Sequence, residues 1–104
     1  MRRVRLIADI GGTNARFATV SPGGELSAQV RLAVGGQADF ASALEAALAR
    51  LGNPLPDEAM VAVAGPVHNG VCRLTNADWI IDAQVIAGRL DSPAVQVVND
   101  FQAV

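Results

Sequence analysis

The run Asp9-Ile10-Gly11-Gly12-Thr13-Asn14-Ala15-Arg16-Phe17 sets a tight glycine turn between two apolar stretches and places an acid at its mouth. The flanking stretches, Val4 to Ile10 and Ala15 to Val20, have the length and β-branched content of strands. Joined by Gly11-Gly12 they predict a β-hairpin. Two glycines let a backbone approach an anion closely and aim successive N–H groups at it. Thr13 adds a hydroxyl, and Asp9 is suited to hold a magnesium ion through water. The turn therefore reads as a phosphate cradle, although Gly-Gly also joins many hairpins that bind nothing.

Two other phosphate motifs are excluded. A dinucleotide fingerprint needs a third glycine and a helix directly after the turn, whereas Ala15 to Val20 reads as a returning strand. A P-loop needs a Gly-Lys-Ser/Thr step, and all eight basic residues here are arginine.

A second feature lies at the far end, where the apolar run Ala94 to Val98 closes on Asn99-Asp100-Phe101. Open α/β sheets bind their ligands outside the C-terminal ends of buried strands, which is where this polar pair falls. A carboxylate at that place is suited to accept a hydroxyl proton during phosphoryl transfer, with the neighbouring amide orienting the acceptor. Taken alone, Asp100 is better explained as the cap of a helix starting at Phe101.

Read together, Asp9 to Ala18, Ala64-Gly65-Pro66-Val67, Leu74-Thr75-Asn76 and Val98-Asn99-Asp100-Phe101 resemble the N-terminal part of the bacterial ATP-dependent glucokinases, in the family's order and at similar spacing. Asn14 after Gly-Gly-Thr favours this family over the related repressor/kinase group. The resemblance implies an actin-like, ribonuclease-H-like α/β fold whose two domains close over ATP and a hexose. It implies that residues 1–104 are the N-terminal, small domain, ending just after the catalytic Asp motif. By the same resemblance Ala8, Asp9, Ile10, Gly11, Gly12 and Thr13 form the phosphate loop for magnesium-ATP, and Asp100 is the base acting on the 6-hydroxyl of glucose. Asn99, Asp100, Thr75 and Asn76 are implied sugar contacts, with Asn76 standing where related hexokinases have lysine. The implied reaction is the first step of glycolysis. The isolated piece is expected to be inactive, because the second domain, the adenine site and further sugar ligands would lie outside it. Two alternatives are a non-catalytic sugar sensor of the same superfamily and another actin-like ATPase. Retention of both the Gly-Gly-Thr loop and Asn99-Asp100 argues against the first, and the polyol-type pairs Thr75-Asn76 and Asn99-Asp100 against the second.

Composition narrows the class further. A 51% hydrophobic content and a positive mean hydropathy argue against disorder, and 104 residues suffice for one small core. A net charge of −2 and a pI near 5.1 give no case for nucleic acid. Arg2, Arg3 and Arg5 imitate the start of a signal peptide, but Asp9 interrupts the apolar stretch that follows. No span approaches the roughly 18 apolar residues of a membrane helix. A lone cysteine, Cys72, agrees with a reducing compartment, and a cytoplasmic homo-oligomer is expected, with the piece itself prone to associate through uncovered apolar surface.

The element order reads β-β-β-α-β-β-α-β. After the Ser21-Pro22-Gly23-Gly24 turn, Leu26 to Val34 alternates as a third strand and completes a three-stranded antiparallel meander. Asp39 caps a helix with Phe40, Leu44, Ala47, Leu48 and Leu51 on one face, ended by Gly52. Glu58 to Ala64 and Val71 to Leu74 are short strands, the second after an Asn69-Gly70 turn, and Asp82 to Leu90 is a helix with Val85, Ile86 and Leu90 inward. His68 reads as a solvated loop residue, Cys72 as a small buried hydrophobe and Trp79-Ile80-Ile81 as core. Arg16 serves either a phosphate or a structural ion pair. No cluster has metal-ligand spacing, so a metal should arrive with the nucleotide.

Overall fold

The computed structural model describes residues 4–74, 79–92 and 94–100. The hairpin forms as expected, with β1 (Arg5–Ile10) and β2 (Asn14–Val20) antiparallel and Ile10 opposite Ala15. A third strand, β3 (Val30–Ala33), completes the meander. It is shorter than the predicted Leu26 to Val34. The hydroxyl of Ser27 takes the Thr19 N–H at 2.9 Å in place of a ladder carbonyl, so only a single bridge, Leu26 with Val20, precedes the strand. Beyond Ala33 the chain turns into a short 3-10 segment at Val34–Gly36.

Helix α1 (Phe40–Arg50) starts where Asp39 accepts the Ser42 N–H at 2.8 Å. It ends at Gly52, whose φ of 88° only glycine adopts without strain. Phe40, Ala43, Leu44, Ala47 and Leu48 are buried along one stripe. Strand β4 (Glu58–Val63) then pairs parallel to β1, and β7 (Ala94–Asn99) parallel to β4, giving the order β3-β2-β1-β4-β7.

Between β4 and β7 lies a small second sheet. Strand β5 (Val71–Arg73) follows the Asn69-Gly70 turn, whose two positive φ angles, 55° and 76°, suit a two-residue hairpin in which His68 and Val71 exchange both backbone hydrogen bonds. Its partner β6 (Ile80–Asp82) was expected as core without a strand; three residues carry too little periodicity to declare one. Asp82 caps α2 (Ala83–Leu90) by accepting the Gln84 N–H. Of the side chains expected inward on α2, Ile86 is buried and Leu90 packs partly against the core, but Val85 is 64% exposed. The ~100° step between neighbouring helix residues turns Val85 aside once Ile86 points inward.

Both helices sit on one face of the large sheet, tied by Arg89 of α2 to Glu45 of α1. Beneath them Leu6, Ala8, Ile10, Phe17, Val61, Val63, Trp79 and Ile81 form one continuous core. Trp79 stands edge-on to Phe40 with ring centroids 6.0 Å apart and donates its indole N–H to the Gln37 carbonyl. The other face of the sheet carries Arg5, Ile7, Asp9, Met60 and Gln96, each more exposed than its neighbours in the strand. No helix among the described residues is long and apolar enough to cross a membrane.

Candidate functional site

Parallel pairing brings three strand ends to one edge, with Ile10, Val63 and Asn99 in register. The chain leaves this edge through three polar or glycine-bearing segments: Gly11-Gly12-Thr13 after β1, Ala64-Gly65 after β4, and Asp100 after β7. The ladder continues a step past the strands, since Ala64 N–H donates to the Ile10 carbonyl at 3.0 Å and Asp100 N–H to the Val63 carbonyl at 2.9 Å.

Residue parity decides which side chains meet. Asp9 precedes the aligned row by one residue and Asp100 follows it by one, so both project to the face opposite Ile10 and Val63. Strand spacing and rise put their Cα atoms about 12 Å apart. Burial holds the Asp100 carboxyl above the ordinary carboxylate range, and the nearby charge of Asp9 adds to that rise. The two acids singled out at opposite ends of the sequence thus share one electrostatic environment.

The hairpin tip is exposed at Gly12 and Thr13. Gly11 N–H donates to the Asn14 carbonyl at 2.9 Å and closes the turn, and the Thr13 carbonyl accepts from Val34 N–H. The left-handed glycines among the described residues are Gly24, Gly52 and Gly70, so Gly11 is not required by backbone strain. A methyl group built on Gly11 comes no closer than 3.5 Å to the Asn14 carbonyl oxygen, an ordinary contact. Among the described residues nothing demands glycine there. Ala8 and Ile10 are buried toward the helices, so their side chains lie beneath the loop rather than in it.

Asn99 is half-buried, and its amide nitrogen donates to the Gly65 carbonyl. The sequence marked Ala64-Gly65-Pro66 as a motif without assigning it a task; an apolar strand stopped by Gly-Pro was the available signal. Thr75, Asn76 and Phe101 lie outside the described residues, which leaves the capping reading of Asp100 there as well. Arg16 sits in register with Asp9 on one side and Arg31 on the other, all three exposed. The ion pairs among the described residues are Arg5–Glu58 and Arg89–Glu45, so the structural-pair alternative for Arg16 is not realised. His68 is exposed in its turn and Cys72 is fully buried in β5, as expected. Among the described residues no group of three His, Cys, Asp or Glu side chains is placed to cage a metal.

Comparison with known proteins identifies the family and the fold. A sequence model of the family described as "Glucokinase" matches residues 6–104. The glucokinase of Chromohalobacter salexigens is 39% identical over 99% of this chain, which spans 33% of that relative's length. The crystal structure of a glucokinase from an Antarctic psychrotroph superposes with a TM-score of 0.84 at 30% identity, over 96% of this chain and 33% of its own. A ROK family glucokinase from Streptomyces griseus, solved with glucose and AMPPNP, shares the fold at a TM-score of 0.64 and 23% identity, again over 96% and 33%. The sheet with its antiparallel meander is the actin-like α/β fold of these sugar kinases. Sequence and structure agree that the chain, about a third the length of the relatives it matches, belongs to the glucokinase family.

Proposed function

We propose that residues 1–104 are the N-terminal, small domain of an ATP-dependent glucokinase, and that the whole protein transfers the γ-phosphoryl group of ATP to the 6-hydroxyl of glucose. The observation that carries this reading is the shared environment of Asp9 and Asp100 at the C-terminal ends of β1 and β7. In the proposed step the Asp100 carboxylate accepts the proton of the 6-hydroxyl as that oxygen bonds to phosphorus and the bond to the departing ADP oxygen breaks. A raised pKa suits this task, because it makes the carboxylate a stronger base. Asn99 orients the sugar, and the exposed tip Gly12-Thr13 receives the phosphates, with Gly11 contributing the absence of a side chain.

The donor set fits magnesium brought with the nucleotide. The charge of Asp9 is felt at Asp100, and among the described residues no group of three His, Cys, Asp or Glu side chains could hold an ion, which matches a metal bound by one or two carboxylates plus substrate phosphates rather than by a protein cage. When bound there it would neutralise phosphate charge, with Asp9 as its nearest holder. Thr75 and Asn76 complete the proposed sugar site. ATP as donor supports a cytoplasmic setting, and exposed Met60, Ile80 and Val85 support a homo-oligomer, to be checked by light scattering on the full-length protein.

The test is a coupled assay of the full-length protein with magnesium-ATP against glucose, fructose, mannose and glucosamine, with Asp100→Asn alongside. Glucose-dependent ADP release that collapses in the variant is expected. Glucose binding without turnover in the unmodified protein would overturn the kinase reading, and unchanged turnover in Asp100→Asn would overturn the base assignment.

A further inference from the structure

We infer that Gly65 is a positioning residue for the acceptor sugar, holding Asn99 from below through a packing contact with Cys72. The inference rests on the proposed sugar-binding role of Asn99. Three observations carry it. The Asn99 amide nitrogen donates to the Gly65 carbonyl, which fixes the end of the planar amide that faces β4 and turns its oxygen the other way. Gly65 itself rests against the second sheet, since a Cβ built on it would lie 3.3 Å from the Cys72 sulfur, closer than such contacts ordinarily come. Cys72 cannot easily yield: it is fully buried, opposite the equally buried Ile81 across the β5–β6 pair. The Gly65 backbone φ is not in the left-handed region, so the glycine is needed for space rather than for conformation.

The arrangement explains why a small two-stranded sheet matters to a site on the large one. Its buried cysteine sets how close the 64–66 segment can settle, that segment sets the height of the Gly65 carbonyl, and the carbonyl sets the Asn99 amide. A side chain on Gly65 must open the contact with Cys72 by a few tenths of an ångström; with the sulfur held by its buried surroundings the 64–66 segment gives, and its carbonyl shifts relative to Asn99. Sugar recognition should suffer most, because the Gly65 carbonyl holds the Asn99 side chain directly, whereas the phosphate loop meets this segment through the backbone bond from Ala64 N–H to the Ile10 carbonyl, one residue before Gly65.

The test uses the full-length enzyme and reads KM for glucose and for ATP separately. Gly65→Ala is expected to raise the glucose KM about tenfold, the equivalent of ~1.4 kcal/mol, with the ATP KM within about twofold. Adding Cys72→Ala removes the sulfur that the new methyl meets, so the double variant Gly65→Ala/Cys72→Ala should recover most of the lost glucose affinity. That recovery is the readout a merely structural role would not give. An unchanged glucose KM in Gly65→Ala overturns the inference, as does a parallel rise of both KM values that the second substitution leaves uncorrected. Should Gly65→Ala fail to fold, the double variant decides: near-normal glucose KM supports the inference and a tenfold rise overturns it. Asn99→Ala, run beside these, separates the two levels. If it raises the glucose KM while Gly65→Ala does not, only the positioning role fails; if it leaves the glucose KM unchanged, the sugar-binding reading of Asn99 fails and the inference with it.

Discussion

The two ends of strands β1, β4 and β7 are built from the same ladder and do opposite things with charge. At the N-terminal end Arg5 and Glu58, in register on neighbouring strands, form an ion pair at 2.8 Å. Nearby the Ser92 hydroxyl donates to the Asp57 carbonyl, and Asp57 N–H to that of Val4. At the C-terminal end two acids are held on one face, and the charge of one adds to the raised pKa of the other. A cavity of about 800 Å³ lies at the N-terminal end, lined by Val4, Leu26, Leu51 and Leu55 among others. Charge rather than cavity size distinguishes the proposed site, because opposite charges in contact are already satisfied, whereas like charges on one face are stabilised by an arriving proton or cation.

The largest expected separation between the ends is in turnover. Asp100→Asn should lower kcat of the full-length protein by about 10²–10⁴-fold, the usual contribution of a positioned base, with glucose affinity nearly intact. Arg5→Ala, at the other end of the same ladder, should leave kcat within about twofold of the unmodified enzyme, since it removes only a surface ion pair. Comparable losses in both variants would show that strand integrity, not charge, sets activity. Gly11→Ala comes next. Because the fold accommodates a methyl there, the thermal midpoint should hold while the ATP KM rises about tenfold, or ~1.4 kcal/mol. A normal ATP KM would remove the phosphate-loop assignment.

How far the sequence spoke for this contrast depends on distance along the chain. The β1–β2 hairpin, the Asp39 cap, the Gly52 stop and the Asn69-Gly70 turn were legible because each is decided by neighbours within a few residues. Strand β6 was not, since Ile80–Asp82 is a strand only by virtue of β5 beside it. Asp9 and Asp100 were recognisable as motif residues, but their meeting depends on the parallel register of Ile10, Val63 and Asn99, which no local pattern encodes. The task of Gly65 is hidden for the same reason: both its partners, Cys72 and Asn99, reach it only through tertiary structure. The Arg5–Glu58 pair likewise joins residues that nothing in the sequence connects.

The pH profile sharpens the contrast from the acidic side. The proposed base works deprotonated, so kcat/KM should rise through the Asp100 pKa, which sits above the ordinary carboxylate value mainly through desolvation and secondarily through Asp9. Asp9→Asn removes the second cause only. The acidic midpoint should move down without reaching the ordinary value, whatever the variant does to the height of the profile. Stability carries the matching sign. With its folded pKa raised, Asp100 favours the fold most below its unfolded pKa, and that contribution fades as pH climbs through the folded one. An acidic midpoint unmoved by Asp9→Asn would mean that the two carboxylates do not sense each other.

The smallest effect is expected where charges are already matched. Arg5 and Glu58 are half-exposed, at 54% and 46%, so solvent screens their attraction and ordering two long side chains offsets much of what remains. Glu58→Ala should cost the full-length protein less than about 1 kcal/mol in denaturant unfolding. The difference should shrink toward zero in 1 M salt, where the screening length falls to about 3 Å. Glucose and ATP KM should be unaffected, because the row from Ile10 through Val63 to Asn99 is set by backbone hydrogen bonds five residues further along. A loss above about 2 kcal/mol would put the pair in the class of buried charges. The N-terminal end would then be an organising feature of the sheet, and the site's geometry would depend on both ends of the ladder rather than on one.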